Sequence, residues 1–591
     1  MPVPHKDSVR AGKHLLYCAV VLAGSGAAQL AVAQALPDAG QLLNEHQQAQ
    51  PSEPGSTQPP SVFELPSGTN ASPAGSGLQV QLKAIRFSGD TELAEAENLQ
   101  ALIKPVLGKT LDHAGLQQLV DSLTRYLRGR GYVLARAYLP RQDLTEGELE
   151  IALIKGKLQS DRARIEVQGN TRSNPERLRG IADAALPQAQ ALQAEDLERA
   201  LLLINDQPGL SAQSALDRGA EPGTSRLLIN TKKAPLVSGN VSADNYGNRS
   251  TGTARANAQV SLNDPLGIGD QLNIGLSKST GADIIGASYS LPLNASGLRL
   301  NAAGSYLRYD VDQEQFRPLD LRGNARSGSL GVSYPLIRSR LQNLNLSATY
   351  EHKALEDRAL GINLRDRELN NVILAMSGNR FDSLAGGGVT DAMLALTVGE
   401  LDLSGNRDDQ FADRVGAGSD GGFNKLNLRV SRLQSLGAAS PWTLFGGISA
   451  QWAGDNLDSS EKFLLGGPAG VRAYPVGEAS GDQGWLATLE LRRNIDLNLP
   501  GVVLQGLGFV DTGRIWLHQD QWAGSINNAG DTNRYDLNAV GIGANLWAGN
   551  FSLRTAVART LDNNPGRSVS GLDADSRASD WRAWVQASYA F

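Results

Sequence analysis

Val502-Val503-Leu504-Gln505-Gly506-Leu507-Gly508-Phe509-Val510-Asp511-Thr512-Gly513 alternates along its length. Successive side chains of a strand point to opposite faces. Val502, Leu504 and Val510 therefore share one face, and Gln505, Leu507, Phe509, Asp511 and Gly513 share the other. If the apolar face meets lipid, a carboxylate belongs on the opposite, inner face of the wall. Upstream, Val471-Arg472-Ala473-Tyr474 lies within a Gly-rich loop, 455–484. An Arg in a long loop and an Asp on the inner face of a strand suggest a loop folded back onto that strand. Arg can meet a carboxylate through two parallel hydrogen bonds, which Lys cannot match. Gly513 leaves room for a close backbone approach, and Phe509 offers an aromatic surface to the loop tip.

Period-two alternation extends outward from this segment, from about residue 236 to the end. In 272–277 Leu272, Ile274 and Leu276 alternate with Asn273, Gly275 and Ser277. In 344–353 Leu344, Leu346, Ala348 and Tyr350 alternate with Asn345, Ser347, Thr349 and Glu351. In 485–492 Trp485, Ala487, Leu489 and Leu491 face away from Thr488, Glu490 and Arg492. Sixteen segments of about ten residues are expected, each long enough to cross a bilayer obliquely. Tight links near 264–269, 293–296, 336–340, 435–441 and 496–501 interleave with longer ones near 310–321, 355–366, 402–421, 455–484, 514–535 and 561–579. Short turns on one side and long loops on the other suit a transmembrane barrel. No segment after residue 33 has 18 consecutive apolar residues, so helices are not the spanning element. The chain ends on Trp581, Ala583, Val585, Ala587, Tyr589 and Phe591 at every second position. A terminal aromatic of this kind resembles the assembly signal read by the barrel assembly machinery.

The amino-terminal part reads differently. Residues 1–33 have basic residues, an apolar stretch from Leu15 and a small-residue site at Ala31-Val32-Ala33, which predicts a signal peptide cleaved after Ala33. Cys18, the only cysteine, would leave with it. Residues 34–50 contain a short helix with only Leu42 and Leu43 as large apolar side chains, suited to a polar, water-filled lumen. Residues 51–78, rich in proline, form a semi-extended linker. Two modules follow, at 79–158 and 159–235. In the first, Leu116, Leu119, Val120, Leu123 and Leu127 repeat at helical spacing, and Leu149, Ile151 and Leu153 alternate with Glu148, Glu150 and Ala152. The second repeats the pattern of strand, helices and closing strands. A strand edge beside a helix groove can accept an extended chain by β-augmentation.

Val471, Arg472 and Tyr474 followed by Phe509, Asp511 and Gly513 resemble the VRGY/F and F-x-D-x-G motifs of two-partner secretion transporters, the haemolysin-activator family. The paired modules resemble polypeptide-transport-associated (POTRA) domains, as in Gly131-Tyr132-Val133-Leu134-Ala135-Arg136. The resemblance covers nearly the whole chain after residue 33. It implies α+β periplasmic POTRA domains followed by a 16-stranded antiparallel transmembrane β-barrel at 236–591. It also implies a lumenal plug helix and an outer-membrane pore that passes a large, unfolded exoprotein without nucleotide. An insertase for other barrel proteins is the alternative on the same scaffold. Ala473 departs from the motif, which has Gly there; if that position needs a positive φ, Ala strains the tip.

No catalytic constellation is present. The four histidines after residue 33 are His46, His113, His352 and His518; none has metal-ligand spacing, and no nucleophile elbow or phosphate-binding loop occurs. No metal, cofactor or enzymatic activity is expected. After processing the chain carries 52 basic and 60 acidic residues with no basic block, so nucleic acid is not an expected partner. The expected partners are the exoprotein cargo, outer-membrane lipid and, during biogenesis, the barrel assembly machinery.

Overall fold

The computed structural model describes residues 37–48 and 79–591, apart from 95, 96, 189, 222 and 315. The predicted signal peptide and linker lie outside the described residues. Helix α1 (Ala39–Gln48) comes first. In the first module, α2 (Glu97–Ile103) and α3 (His113–Gly129) flank a three-stranded sheet of Ala84–Gly89, Glu148–Ile154 and Arg136–Tyr138. Asp112 caps α3 by accepting from the Gly115 N–H at 2.8 Å. The predicted apolar stripe of α3 is fully buried, with Leu123 and Leu127 packed on Leu149, Ile151 and Leu153. In the second module, α4 (Pro175–Ala185) and α5 (Ala194–Asn205) cover strands Leu210–Arg218, Thr224–Lys233 and Ile165–Gly169. The modules share a joint. Val133 of the first packs in the core of the second, and Ala194 N–H donates to the Gly131 carbonyl at 2.8 Å.

Sixteen antiparallel strands then close into a barrel. The first, Val237–Asp244, pairs the last, Trp581–Ala590, through a short register from Asn240↔Ala590 to Asp244↔Gln586. Phe591 extends that seam: its N–H and carbonyl exchange 2.9 Å bonds with Gly239. The outward side chains are apolar at mid-height, as at Leu276, Ile285, Leu330, Val372, Leu396 and Val510. This is the wall the alternation predicts, since every backbone group inside lipid must be paired. No helix among the described residues is long and apolar enough to cross a membrane.

One expected loop is absent. Residues 355–366 belong to two long strands, Gln342–Ala359 and Ile362–Asp382, joined by Leu360-Gly361, both at positive φ. These strands run to 18 and 21 residues rather than about ten. The dense charges between Glu356 and Arg367 read as a solvated loop. They sit on strands that project above the apolar band, where both faces tolerate charge.

The second module is docked on the barrel rim. Arg172 Nη2 donates to the carbonyls of Gly209, Ala234 and Asn263 at 3.0–3.2 Å. Ser173 donates to Asp264 at 2.5 Å, Arg177 to the Pro292 carbonyl at 3.0 Å and Arg199 to the Pro335 carbonyl at 3.2 Å. Arg338 meets Asp206 at 2.6 and 2.8 Å. Helices α4 and α5 thus sit on the first three turns of the rim, which fixes that end of the barrel as the side facing the modules.

Candidate functional site

The long connection between the eleventh and twelfth strands, Trp442–Ala453 and Gln483–Ile495, does not extend outward. It is a small hairpin, Phe463–Leu464 against Ser480–Gly481. Its turn is held by Val471 N–H on the Leu465 carbonyl at 2.8 Å and Tyr474 N–H on the Val471 carbonyl at 3.1 Å. Leu465, Val471, Ala473 and Tyr474 pack on Phe509, Leu537, Ala539 and Ala558 of the inner wall. Burying one such side chain contributes about 1.5–3 kcal/mol, so the apolar tip draws the loop into the barrel.

At the tip Arg472 meets Asp511, which lies on the thirteenth strand, Val502–Trp516. Nε donates to Oδ2 at 2.8 Å and Nη2 to Oδ1 at 2.7 Å, while the Arg472 N–H donates to Oδ2 at 3.1 Å. Asp511 is 0% exposed, and Thr488 donates to its Oδ1 at 3.1 Å. The guanidinium carbon stands 3.4 Å from the Phe509 ring centroid. Three partners were not read from the sequence. Arg472 Nη1 donates to Glu490 at 2.5 Å, and Glu490 also accepts from Arg492 Nε at 2.7 Å. Trp584 Nε1 donates to the Arg472 carbonyl at 2.7 Å. Glu490 and Arg492 share the inner face of their strand, a signal that period-two alternation already carried.

Two details of the tip differ from expectation. Ala473 is not among the residues at positive φ, whereas Gly467 is, at 111°; Ala473 sits buried without backbone strain. At Gly513 a Cβ would stand 2.4 Å from Leu465 Cδ1 and 2.6 Å from the Trp485 carbonyl. A loop side chain and a neighbouring strand, rather than loop backbone, therefore require this glycine.

Helix α1 lies inside the barrel near the same loop. Leu42 and Leu43 are buried against an apolar wall patch that includes Leu307, Leu355, Leu369 and Leu401, not in the purely polar surroundings expected of them. Its first turn is capped twice. Asp38 accepts from Gln41 N–H at 2.8 Å, and Asp357 of the wall accepts from Ala39 N–H at 2.8 Å. Asn44 reaches the loop carbonyls of Ser459 and Lys462 at 3.2 and 2.7 Å. Helix and loop together occupy the lumen.

A closed 16-strand barrel preceded by POTRA modules defines an outer-membrane protein with its modules in the periplasm. More particularly, the chain belongs to the haemolysin secretion family of two-partner secretion transporters. The model described as "Haemolysin secretion/activation protein ShlB/FhaC/HecB" matches residues 223–542, and "POTRA domain, ShlB-type" matches 80–156. The heme/hemopexin transporter protein HuxB of Haemophilus influenzae (strain 86-028NP) is 28% identical over 474 residues, covering 79% of this chain and 81% of that protein. The outer membrane transporter CdiB of Escherichia coli is 26% identical over 455 residues, covering 74% and 73%. The solved structure of CdiB from Escherichia coli shares the fold at a TM-score of 0.65 and 23% identity, covering 90% of this chain and 94% of that one.

Proposed function

We propose that this chain is the outer-membrane pore of a two-partner system, secreting a large exoprotein that its POTRA modules receive in the periplasm as an unfolded chain. The observation that carries the reading is the occupied lumen: α1 and the inner loop fill a barrel whose width would otherwise leave an aqueous channel. Such a stopper suits a conduit opened only when cargo arrives. A strand edge in each module is available for β-augmentation by the cargo. No nucleotide takes part, and folding of the cargo outside supplies direction. An insertase role on the same scaffold is the weaker reading, since two modules and a lumenal helix behind a long linker suit gated passage of one chain.

The test is co-expression with a large exported protein of repetitive β-strand sequence encoded beside this chain. The cargo should reach the medium only when this chain is present. Equal export without it would refute the assignment. Deleting 34–50 should raise conductance in planar bilayers, and an unchanged conductance would remove α1 as the plug.

A further inference from the structure

We propose that the outer wall of the barrel carries a binding site for a phosphorylated glycolipid of the outer leaflet, its acyl chains seated in a hollow that crosses the closing seam. At mid-height most of the wall presents Leu, Val or Ile to lipid, as at Val372, Leu396, Leu489 and Ile542. The first, second and last strands instead present alanine. Ala243 lies opposite both Ala256 of the second strand, Arg255–Asn263, and Ala587 of the last. Ala258 lies opposite Val241, whose side chain is exposed on the lipid face. Residues paired directly across antiparallel strands share a face, so the four alanines form one outward floor.

The floor has walls. The third, fourth and fifth strands, Gln271–Lys278, Ala282–Pro292 and Arg299–Asp310, raise Leu276, Ile285 and Tyr306 on one side. The fifteenth, Phe551–Thr560, and the last raise Phe551 and Tyr589 on the other. The hollow between them has a volume of about 850 Å³, within the range of about 300–1,000 Å³ for ligand sites. On a lipid-facing wall such a trough takes hydrocarbon, because an unfilled one forfeits the dispersion contacts of its lining.

Charge borders the hollow at one end only. The turn 264–270 that precedes the third strand faces the modules, so Lys278, at the far end of that strand, lies at the level of the outer leaflet. Asp283 and Arg308 are its neighbours across the next two strands, and all three border the hollow. Arg326, opposite Tyr306, holds its guanidinium 5.8 Å from that ring. Lys278 meets Asp283 at 2.5 Å and Arg308 meets Asp310 at 3.8 Å, with each of these side chains more than half exposed. Such exposed pairs contribute little, whereas a phosphate accepts stronger, charge-assisted bonds. Three cations against two carboxylates leave a net positive rim above an apolar floor. A phosphate head above acyl chains has the matching order, with its head in the outer leaflet. The seam itself pairs five residues, where the first and second strands pair eight. Lipid across Ala243 and Ala587 touches both strands of the seam and adds contact where backbone pairing is shortest.

The experiment uses the purified full chain, delipidated in detergent and mixed with lipid A, dephosphorylated lipid A or phosphatidylglycerol. Native mass spectrometry counts the bound lipid, and heat-modifiable gel migration reports the folded barrel. Wild type should hold one lipid A per barrel, severalfold more tightly than either comparator. Ala256→Leu with Ala258→Leu fills the floor yet keeps the wall apolar, and should lower lipid A binding severalfold. Lys278→Gln with Arg308→Gln, at exposed positions where folding is not at stake, should lower lipid A binding and leave that of the dephosphorylated form unchanged. Undiminished lipid A binding in either folded variant would overturn the site. Equal binding of phosphatidylglycerol would overturn the glycolipid as its occupant. A dimer that forms without lipid and is abolished by Ala256→Leu with Ala258→Leu would put a second copy in the hollow and overturn the lipid.

Discussion

The indole N–H of Trp584 donates to the backbone carbonyl of Arg472 at 2.7 Å. A residue on the last strand thereby fixes the backbone of a loop that leaves the barrel between the eleventh and twelfth strands. Trp584 is itself buried, edge-on to Tyr246 near the seam, with ring centroids 5.8 Å apart. Loop tip and closing seam are therefore mechanically joined. Trp584→Phe keeps an aromatic side chain but removes the donor and part of the buried volume, and should cost at least about 1 kcal/mol at the tip. Loop protection from protease should fall while the folded barrel still forms. Full protection would show that the bond is dispensable.

Arg472 and Asp511 should not be equivalent when removed. Arg472→Ala leaves Asp511, at 0% exposure, with only Thr488 as a side-chain donor. Asp511→Ala leaves Arg472 still paired with Glu490 at 2.5 Å. Breaking a buried pair costs about 3–5 kcal/mol where the orphaned charge has no other partner. Arg472→Ala should therefore destabilise the loop more than Asp511→Ala, with secretion impaired in both while the protein still reaches the outer membrane. Thermal migration shifts of the folded barrel would measure the difference. Normal cargo export from both variants would remove the functional role of the pair.

Ala473→Gly converts the tip to the family pattern. Because Ala473 adopts no left-handed backbone, glycine gains nothing there and adds freedom to the unfolded chain. The substitution should cost about 0.4–1 kcal/mol and leave export intact. A rise in stability would mean that the tip prefers another backbone shape.

Much of this was legible in the sequence because period-two alternation gives both strand and facing. Asp511 fell on the inner face by parity alone, and Leu116 to Leu127 marked the helix core by spacing. What escaped depended on distance in the chain. Asp357 and Arg367 alternate correctly with their neighbours, yet their charge density made the hairpin look like a loop. Nothing local shows that Asp38 and Asp458 lie beside them, since those contacts span 329 and 91 positions of sequence. Leu42 and Leu43 gave no hint of an apolar patch in a lumen that alternation describes as polar. Glu490 carried the right parity, but its partner Arg472 sits in a loop whose fold no periodicity records.

The docking of the second module is expected to be fixed during transport. Arg338 and Asp206 form a two-bond pair at the rim, and Arg172 joins three carbonyls from module and barrel. A disulfide replacing Asp206 and Arg338 should leave secretion unchanged under oxidising conditions. Loss of export that returns on reduction would show that the module must swing away from the rim.

Helix α1 carries a titratable group that should make its docking depend on pH. Glu45 is buried, and its hydrogen-bond donors are amides: Gln41 at 2.8 Å and Asn248 at 3.1 Å. Arg255 and Asp575 are the charged groups that act on it from the wall and the last loop; each is already paired, Arg255 with Asp244 at 2.8 Å and Asp575 with Arg582 at 2.5 Å. Burial pushes the Glu45 carboxyl up to about 7, above the ordinary glutamate value. The released helix would carry a solvated carboxyl that titrates near 4.3. A group whose docked pKa is raised contributes stability that is fully present below the released value and is lost as pH rises through 7. Docking should therefore weaken by up to about 3 kcal/mol between pH 4 and pH 8. Conductance in planar bilayers should be lowest in acid and rise toward pH 8. Glu45→Gln, which keeps an uncharged side chain of the same shape, should hold the channel closed across that range. A pH response of the same size in Glu45→Gln would assign it to another group.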